Sequence, residues 1–226
     1  MSAPDWNAPI DAYCERVGTG LWAEPLNLLS NLAFVLAGVL VWRAARRELG
    51  AVPRPLGVLS GLAVLVGVGS ATFHSVATLW AQVADVVPIV VFLLSVLAVA
   101  LRRIYGASPG LTALALAAFL GGSALLTAVV PAEATNGSGP YFGTLVKLVA
   151  LGLGARRRSP DVARPLLLAA PVFTLSLLAR IVDPRLCGAF PSGTHFLWHL
   201  LNGGCFFLVL ESLLVHARVA RRADST

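Results

Sequence analysis

Arginine fills every second gap between long apolar stretches, and that alternation limits the possible folds more than any other feature of the chain. The apolar stretches lie at roughly 26–42, 56–73, 86–101, 111–130, 141–154, 165–182 and 194–215. Arg43, Arg46, Arg47 and Arg54 follow the first, and Arg102 and Arg103 follow the third. Arg156, Arg157, Arg158 and Arg164 separate the fifth from the sixth, and Arg218, Arg221 and Arg222 follow the seventh. The other segments hold Asp5, Asp11, Glu15, Glu24, Asp85, Glu133 and Asp183, with only Arg16 and Arg185 as cations. About 20 helical residues cross a bilayer core, and arginine-rich loops stay on the cytoplasmic side. The pattern predicts an all-α membrane protein: a seven-transmembrane helix bundle with its N-terminus outside and its C-terminus cytoplasmic. Seven is an odd number, as opposite termini require.

Composition excludes the competing classes. Of the residues, 57% are hydrophobic and 12% charged, against about 25% charged in an ordinary globular chain. Mean hydropathy is +0.81. Such a chain cannot clothe a soluble monomer in polar surface, and its charge is too sparse for disorder or a coiled coil. The net charge of +6 does not point to nucleic acid, because the arginines cluster where span-flanking loops belong. We expect one domain over 1–226, with an extracytoplasmic segment at 1–25 and a cytoplasmic tail at 217–226. The first 25 residues lack the basic start and early apolar core of a removable signal. Of the 17 basic residues only Lys147 is not arginine. Together with abundant Ala, Gly and Leu, this points to a GC-rich bacterial genome and an inner-membrane location.

Ionisable groups within apolar spans are costly and mark function. Ser70 and His74 are four apart and share a helical face. Asp85 follows 11 residues after His74, at the start of the next span. His195 and His199 form a second pair four apart. All five fall in the outer halves of their spans. Neutral imidazoles bind Zn²⁺ well, and three protein ligands leave a fourth position open. The alternative is a set of interfacial histidines bonded to backbone carbonyls.

A second cluster precedes the first span. Asp11, Glu15 and Glu24 are hard oxygen ligands of the kind Ca²⁺ takes, with Asn27, Ser30 and Asn31 one or two turns on. The alternative is a solvated acidic segment with Glu24 favouring a helix start. Cys14 and Cys187 both fall on the predicted outer side, where two thiols can pair. Spacing alone leaves open whether they do. Arg180 and Asp183 can form an ion pair or bind a lipid headgroup. Lys147 can meet an acid or reach an interface, and Asn136-Gly137 reads as a turn.

Three stretches then resemble one family: DAYCER with WAEPLNLLSN at 11–16 and 22–31, GSATFHSVATLWAQVADVVP at 69–88, and GTHFLWHLLN at 193–202. The chain resembles the alkaline ceramidases, in the wider group of seven-span hydrolases that includes the adiponectin receptors. The resemblance implies that His74, His195 and His199 hold zinc, that Asp85 contacts the water at the metal, and that Ser70 lies beside it. It carries the calcium acids onto Glu15, Glu24 and Asp11, with backbone carbonyls from Tyr13 and Val17. The stretch from Asp11 to Cys14 is one residue longer than in the animal pattern. The resemblance also implies a Cys14–Cys187 disulfide.

The function expected is zinc-dependent hydrolysis of a membrane-lipid amide, most simply ceramide to sphingoid base and fatty acid. Asp85 and Ser70 would act at the bond, and Arg180 and Asp183 near the headgroup. Hydrolysis of another N-acyl lipid and a non-catalytic zinc-containing sensor are the rivals. The oligomeric state is open.

Overall fold

The structure is a computed structural model that describes residues 4–223. Residues 1–3 of the N-terminal segment and 224–226 of the tail lie outside them. Helix α1 (Pro25–Ser30) runs on through Asn31 into α2 (Leu32–Leu49). There follow α3 (Arg54–Val76), α4 (Leu79–Arg103), α5 (Pro109–Val129), the short α6 (Ala132–Thr135), α7 (Phe142–Arg156), α8 (Pro160–Leu186) and α9 (His195–Ala223). Six rods are long and apolar enough to cross a membrane: Pro25–Leu49, α3, α4, α5, α8 and α9. The chain is thus a multi-pass integral membrane protein. The stretch expected at 141–154 is helical as α7, but its 15 residues reach only about 22 Å.

The helix ends follow local chemistry. Gly50 ends α2 in the left-handed region, at φ 70°. Ser108 and Ser159 cap α5 and α8, each just ahead of a proline at the first helical position. Arg46 and Arg47, Arg102 and Arg103, and Arg221 and Arg222 occupy the last turns of α2, α4 and α9, where the helix dipole favours cations. Helix α9 continues to Ala223, so most of the expected tail is helical. Asn136 and Gly137 both adopt positive φ, making the expected turn.

Helix α9 packs against α2, α3 and α8, and α3 pairs with α4. A phenylalanine stack fills the centre: Phe92 lies flat on Phe206 at 3.9 Å, and Phe34 meets Phe206 edge-on at 5.0 Å. Leucines and valines such as Leu114, Leu125 and Val146 face outward, as lipid contact demands. Several glycines set close approaches, Gly203 and Gly69 among them. At Gly203 on α9, a Cβ would overlap Ala33 on α2; at Gly69 on α3, it would overlap the carbonyl of Ala84 on α4. The second contact closes α4 onto α3 beside Asp85.

The N-terminal segment lies over the α3–α4 junction. Pro9 bridges Thr78, Ile10 N–H donates to Ala77 O at 2.8 Å, and Trp80 N–H donates to Trp6 O at 3.1 Å. The Cys14–Cys187 disulfide ties the same segment to the end of α8. Arg54 begins α3 and His74 lies in its last turn, so about 30 Å of helix separates the basic end from the histidine end.

Candidate metal centre

Among the described residues, one set of metal-binding side chains converges. His74, His195 and His199 each bring a ligand atom within 4.8 Å of the others, and all three are buried. The last turn of α3 supplies His74, and successive turns at the start of α9 supply the pair. The i, i+4 spacing therefore brings His195 and His199 together on one face.

Hydrogen bonds outside the cluster fix the ring protons. His74 Nδ1 lies 2.6 Å from Glu24 Oε2. An ionised carboxylate only accepts, so Nδ1 carries the proton and Nε2 is left with its lone pair. Ser30 donates its hydroxyl proton to Asn27 O at 2.9 Å. At 2.8 Å from His199 Nδ1, the Ser30 oxygen must then accept, and His199 Nε2 is left unprotonated too. The two Nε2 atoms face each other at 3.2 Å. Two lone pairs at that distance repel unless a cation sits between them. Ligands about 2.0–2.1 Å from a tetrahedral Zn²⁺ stand about 3.3 Å apart, so the donor set fits zinc. His195 completes it, with its Nδ1 buried and without a hydrogen-bond partner among the described residues.

The carboxylate beside the histidines is Asp85, in the second turn of α4. Its Oδ1 is buried and has no hydrogen-bond partner among the described residues. Ser70 and the charge of Arg180 act on the same carboxylate. Ser70 is itself buried on α3, one turn before His74.

Residues 7–225 match the family model described as Ceramidase. The chain belongs to the ceramidase family. No curated protein matches it in sequence. Ceramidase membership implies hydrolysis of a lipid amide, and in this ceramidase three buried histidines can hold the metal.

The expected calcium set does not assemble. Asp11 is exposed. Both Glu15 oxygens accept backbone N–H groups, from Leu26 at 2.6 Å and Asn27 at 2.8 Å, so Glu15 satisfies the free donors that open α1. Glu24 is filled by Arg16 Nε at 2.5 Å, His74 at 2.6 Å and Asn27 Nδ2 at 2.9 Å. Burial works to raise the Glu24 pKa. Hydrogen bonds from His74 and Asn27 and the Arg16 charge outweigh it, and the carboxyl lies below its ordinary value. Val17 is exposed. These residues do not fit a Ca²⁺ ion, because a guanidinium already supplies the positive charge at Glu24.

Arg180 and Asp183 do not pair. Asp183 Oδ1 accepts from the N–H groups of Thr194 at 2.6 Å and His195 at 2.9 Å, and Oδ2 accepts from Cys14 at 3.3 Å. Asp183 thus caps α9 at His195 and, fully buried, is closed to a headgroup. Arg180 donates to the Tyr13 hydroxyl at 3.0 Å and lies over the rings of Tyr13, Tyr141 and Trp198.

Tyr13 is the main residue the sequence reading missed, since it had offered only a carbonyl there. Its ring stacks on His195 with centroids 3.6 Å apart. Burial pushes its hydroxyl above the ordinary pKa despite the Arg180 cation. Its place next to Cys14 was the available signal.

Lys147 meets neither an acid nor an interface. Its ammonium donates to Leu93 O at 3.3 Å and lies over Phe119. An apolar cleft runs inward from Trp198, the neighbour of His199 on α9, between α2, α4, α7, α8 and α9. It holds about 580 Å³ of space free of protein atoms, part of it open to the outside.

Proposed function

We propose that the chain hydrolyses the amide bond of a membrane lipid, most simply ceramide to sphingoid base and fatty acid, at a zinc centre on His74, His195 and His199. The observation that carries this reading is the buried convergence of three histidines, with the Nε2 atoms of His74 and His199 3.2 Å apart. When bound, Zn²⁺ would polarise the amide carbonyl and make water acidic enough to attack near neutral pH.

The chain's own groups then have distinct tasks. Asp85 accepts the proton of the attacking water on its unpartnered oxygen and returns it to the leaving amine. Ser70 holds the Asp85 carboxylate in the resting site, and its single hydroxyl proton turns to the developing oxyanion once Asp85 has taken up the proton of the water. Glu24 and Ser30 lock the tautomers of His74 and His199. Tyr13 fixes the His195 ring, and Arg180 receives the polar end of the lipid. The apolar cleft takes the acyl chain.

The arginine distribution supports a cytoplasmic basic end and a histidine end in the outer leaflet, on the periplasmic side of a bacterial inner membrane. With α7 counted, the bundle has the seven spans that the opposite termini need. Purified protein is expected to carry about one zinc per chain and to release fatty acid from N-acyl lipids. His199→Ala should lose both together. Full turnover in metal-free protein would overturn the reading.

A further inference from the structure

The cleft below the histidines is mostly apolar, and Lys147, Thr144 and Asn202 are polar side chains in its wall. Thr144 is on α7 and Asn202 on α9. Each is only 4% exposed. Thr144 Oγ1 and Asn202 Nδ2 have no hydrogen-bond partner among the described residues. Leaving a buried polar group unpaired is costly, so two on one cleft call for a partner that enters with the ligand.

Thr144 is the telling case. Helical threonines commonly return the hydroxyl to the carbonyl four residues back. Thr72, Thr112, Thr127, Thr135 and Thr174 all do so here. Thr144 does not, although it lies in the first turn of α7. Lys147, one turn deeper, is engaged with Leu93 O and Phe119.

The depth of the pair identifies the group it meets. Tyr141 and Trp198 rings touch at 5.0 Å, which sets α7 and α9 in register at the mouth of the cleft. Both helices run away from the histidine end. Thr144 lies three residues below Tyr141, and Asn202 three below His199. Three residues of helix advance about 4.5 Å. An extended hydrocarbon chain advances roughly 1.3 Å per carbon–carbon bond of about 1.5 Å. Counting the carbonyl as the first carbon, a chain whose carbonyl is at the histidines therefore passes Thr144 and Asn202 about 3.5 bonds on, at about its fourth or fifth carbon.

We infer that the cleft selects acyl chains carrying a hydroxyl group near the carbonyl end, at about the fourth carbon, which Thr144 and Asn202 bind between them. This rests on the proposed amide hydrolysis for its register, but binding can be tested without turnover. Asn202 Nδ2 donates to the ligand hydroxyl, and the ligand hydroxyl can donate to Thr144 Oγ1. A plain acyl chain would leave both side chains unpaired.

The test uses the full-length, metal-loaded protein and two matched pairs of probes of equal chain length. One pair is N-acyl and N-(4-hydroxyacyl) sphingoid base, read as kcat/KM. The other is the corresponding free fatty acids, read as binding affinity. The hydroxylated member of each pair should be preferred by about ten- to a hundredfold. Thr144→Val should bring both ratios toward one, and Thr144→Ser, which keeps the hydroxyl, should retain them. Equal values within both pairs for the wild-type protein would overturn the inference, as would ratios unchanged in Thr144→Val. Preferential binding of the hydroxy acid with neither amide hydrolysed would uphold the cleft and overturn the proposed reaction. Hydrolysis of both amides without preference would do the reverse.

Discussion

Arg16 and Glu24 form a buried ion pair at 2.5 Å, and the other oxygen of Glu24 holds His74. The Arg16 guanidinium also donates to His74 O at 2.9 Å. One arginine thereby braces both the carboxylate and the backbone of a metal-binding histidine. Glu24→Gln is nearly isosteric, but it loses the charge that pairs Arg16 and fixes Nδ1–H. Removing such an outer partner typically costs 10–100-fold in metal affinity. Competition with a zinc chelator should show a loss of that order. Zinc affinity equal to wild type would remove Glu24 from the support of the site.

Calcium should be without effect. Glu15 is committed to the start of α1 and Glu24 to Arg16, so no free carboxylate pair remains for a hard cation. The melting temperature in detergent should be the same in millimolar CaCl₂ and in a calcium-selective chelator. A rise of several degrees with calcium would mean that Arg16 gives way to the ion.

The disulfide should matter to the site as well as to stability. Cys14 follows Tyr13, whose ring stacks on His195, and its backbone N–H bonds Asp183, the cap of α9. The bond links residues 173 apart in sequence. Loss of a native disulfide typically costs about 2–5 kcal/mol. Cys187→Ser should lower the melting temperature and weaken zinc binding in the same variant. A lower melting temperature with unchanged zinc affinity would make the tie purely structural.

The histidine cluster was legible in the sequence because helical spacing alone puts His195 and His199 on one face. Asp85 was legible because a short junction returns it beside His74. The partners of those residues were not. Glu24 read as a metal ligand because a carboxylate before a helix looks the same whether it faces an ion or an arginine. Asp183 read as an ion-pair or headgroup residue because its true partners are backbone N–H groups from 11 and 12 residues later. Backbone donors leave no mark on composition. The apolar run at 141–154 is helical as α7, but at 15 residues it is not among the six helices long enough to cross a membrane. Tyr13 depends on the crossing of the N-terminal segment over the bundle, which no local pattern encodes.

Gly69 provides the test that separates the placement of Asp85 from the binding of metal. A side chain at Gly69 would overlap the carbonyl of Ala84, and Asp85 Cα lies 3.6 Å from the same Cβ position. Gly69→Ala must therefore push α4 away from α3 at the carboxylate. His74 stays on α3, and His195 and His199 are on α9, so the zinc ligands keep their mutual positions. Overpacking of this kind costs about 1–3 kcal/mol. Turnover should fall steeply, because even a 1 Å misplacement can cost about 10²-fold. Asp85→Asn is the comparison: it keeps the shape but cannot accept a proton at neutral pH, and should lose at least about 10²-fold with zinc retained. If both variants keep zinc and lose hydrolysis, Asp85 acts as a placed base. If Asp85→Asn instead loses zinc in step with stability, Asp85 is a fourth ligand in a closed site, and the sensor reading replaces the enzyme. If Gly69→Ala keeps full turnover, the close packing of α3 on α4 does not set the position of the base.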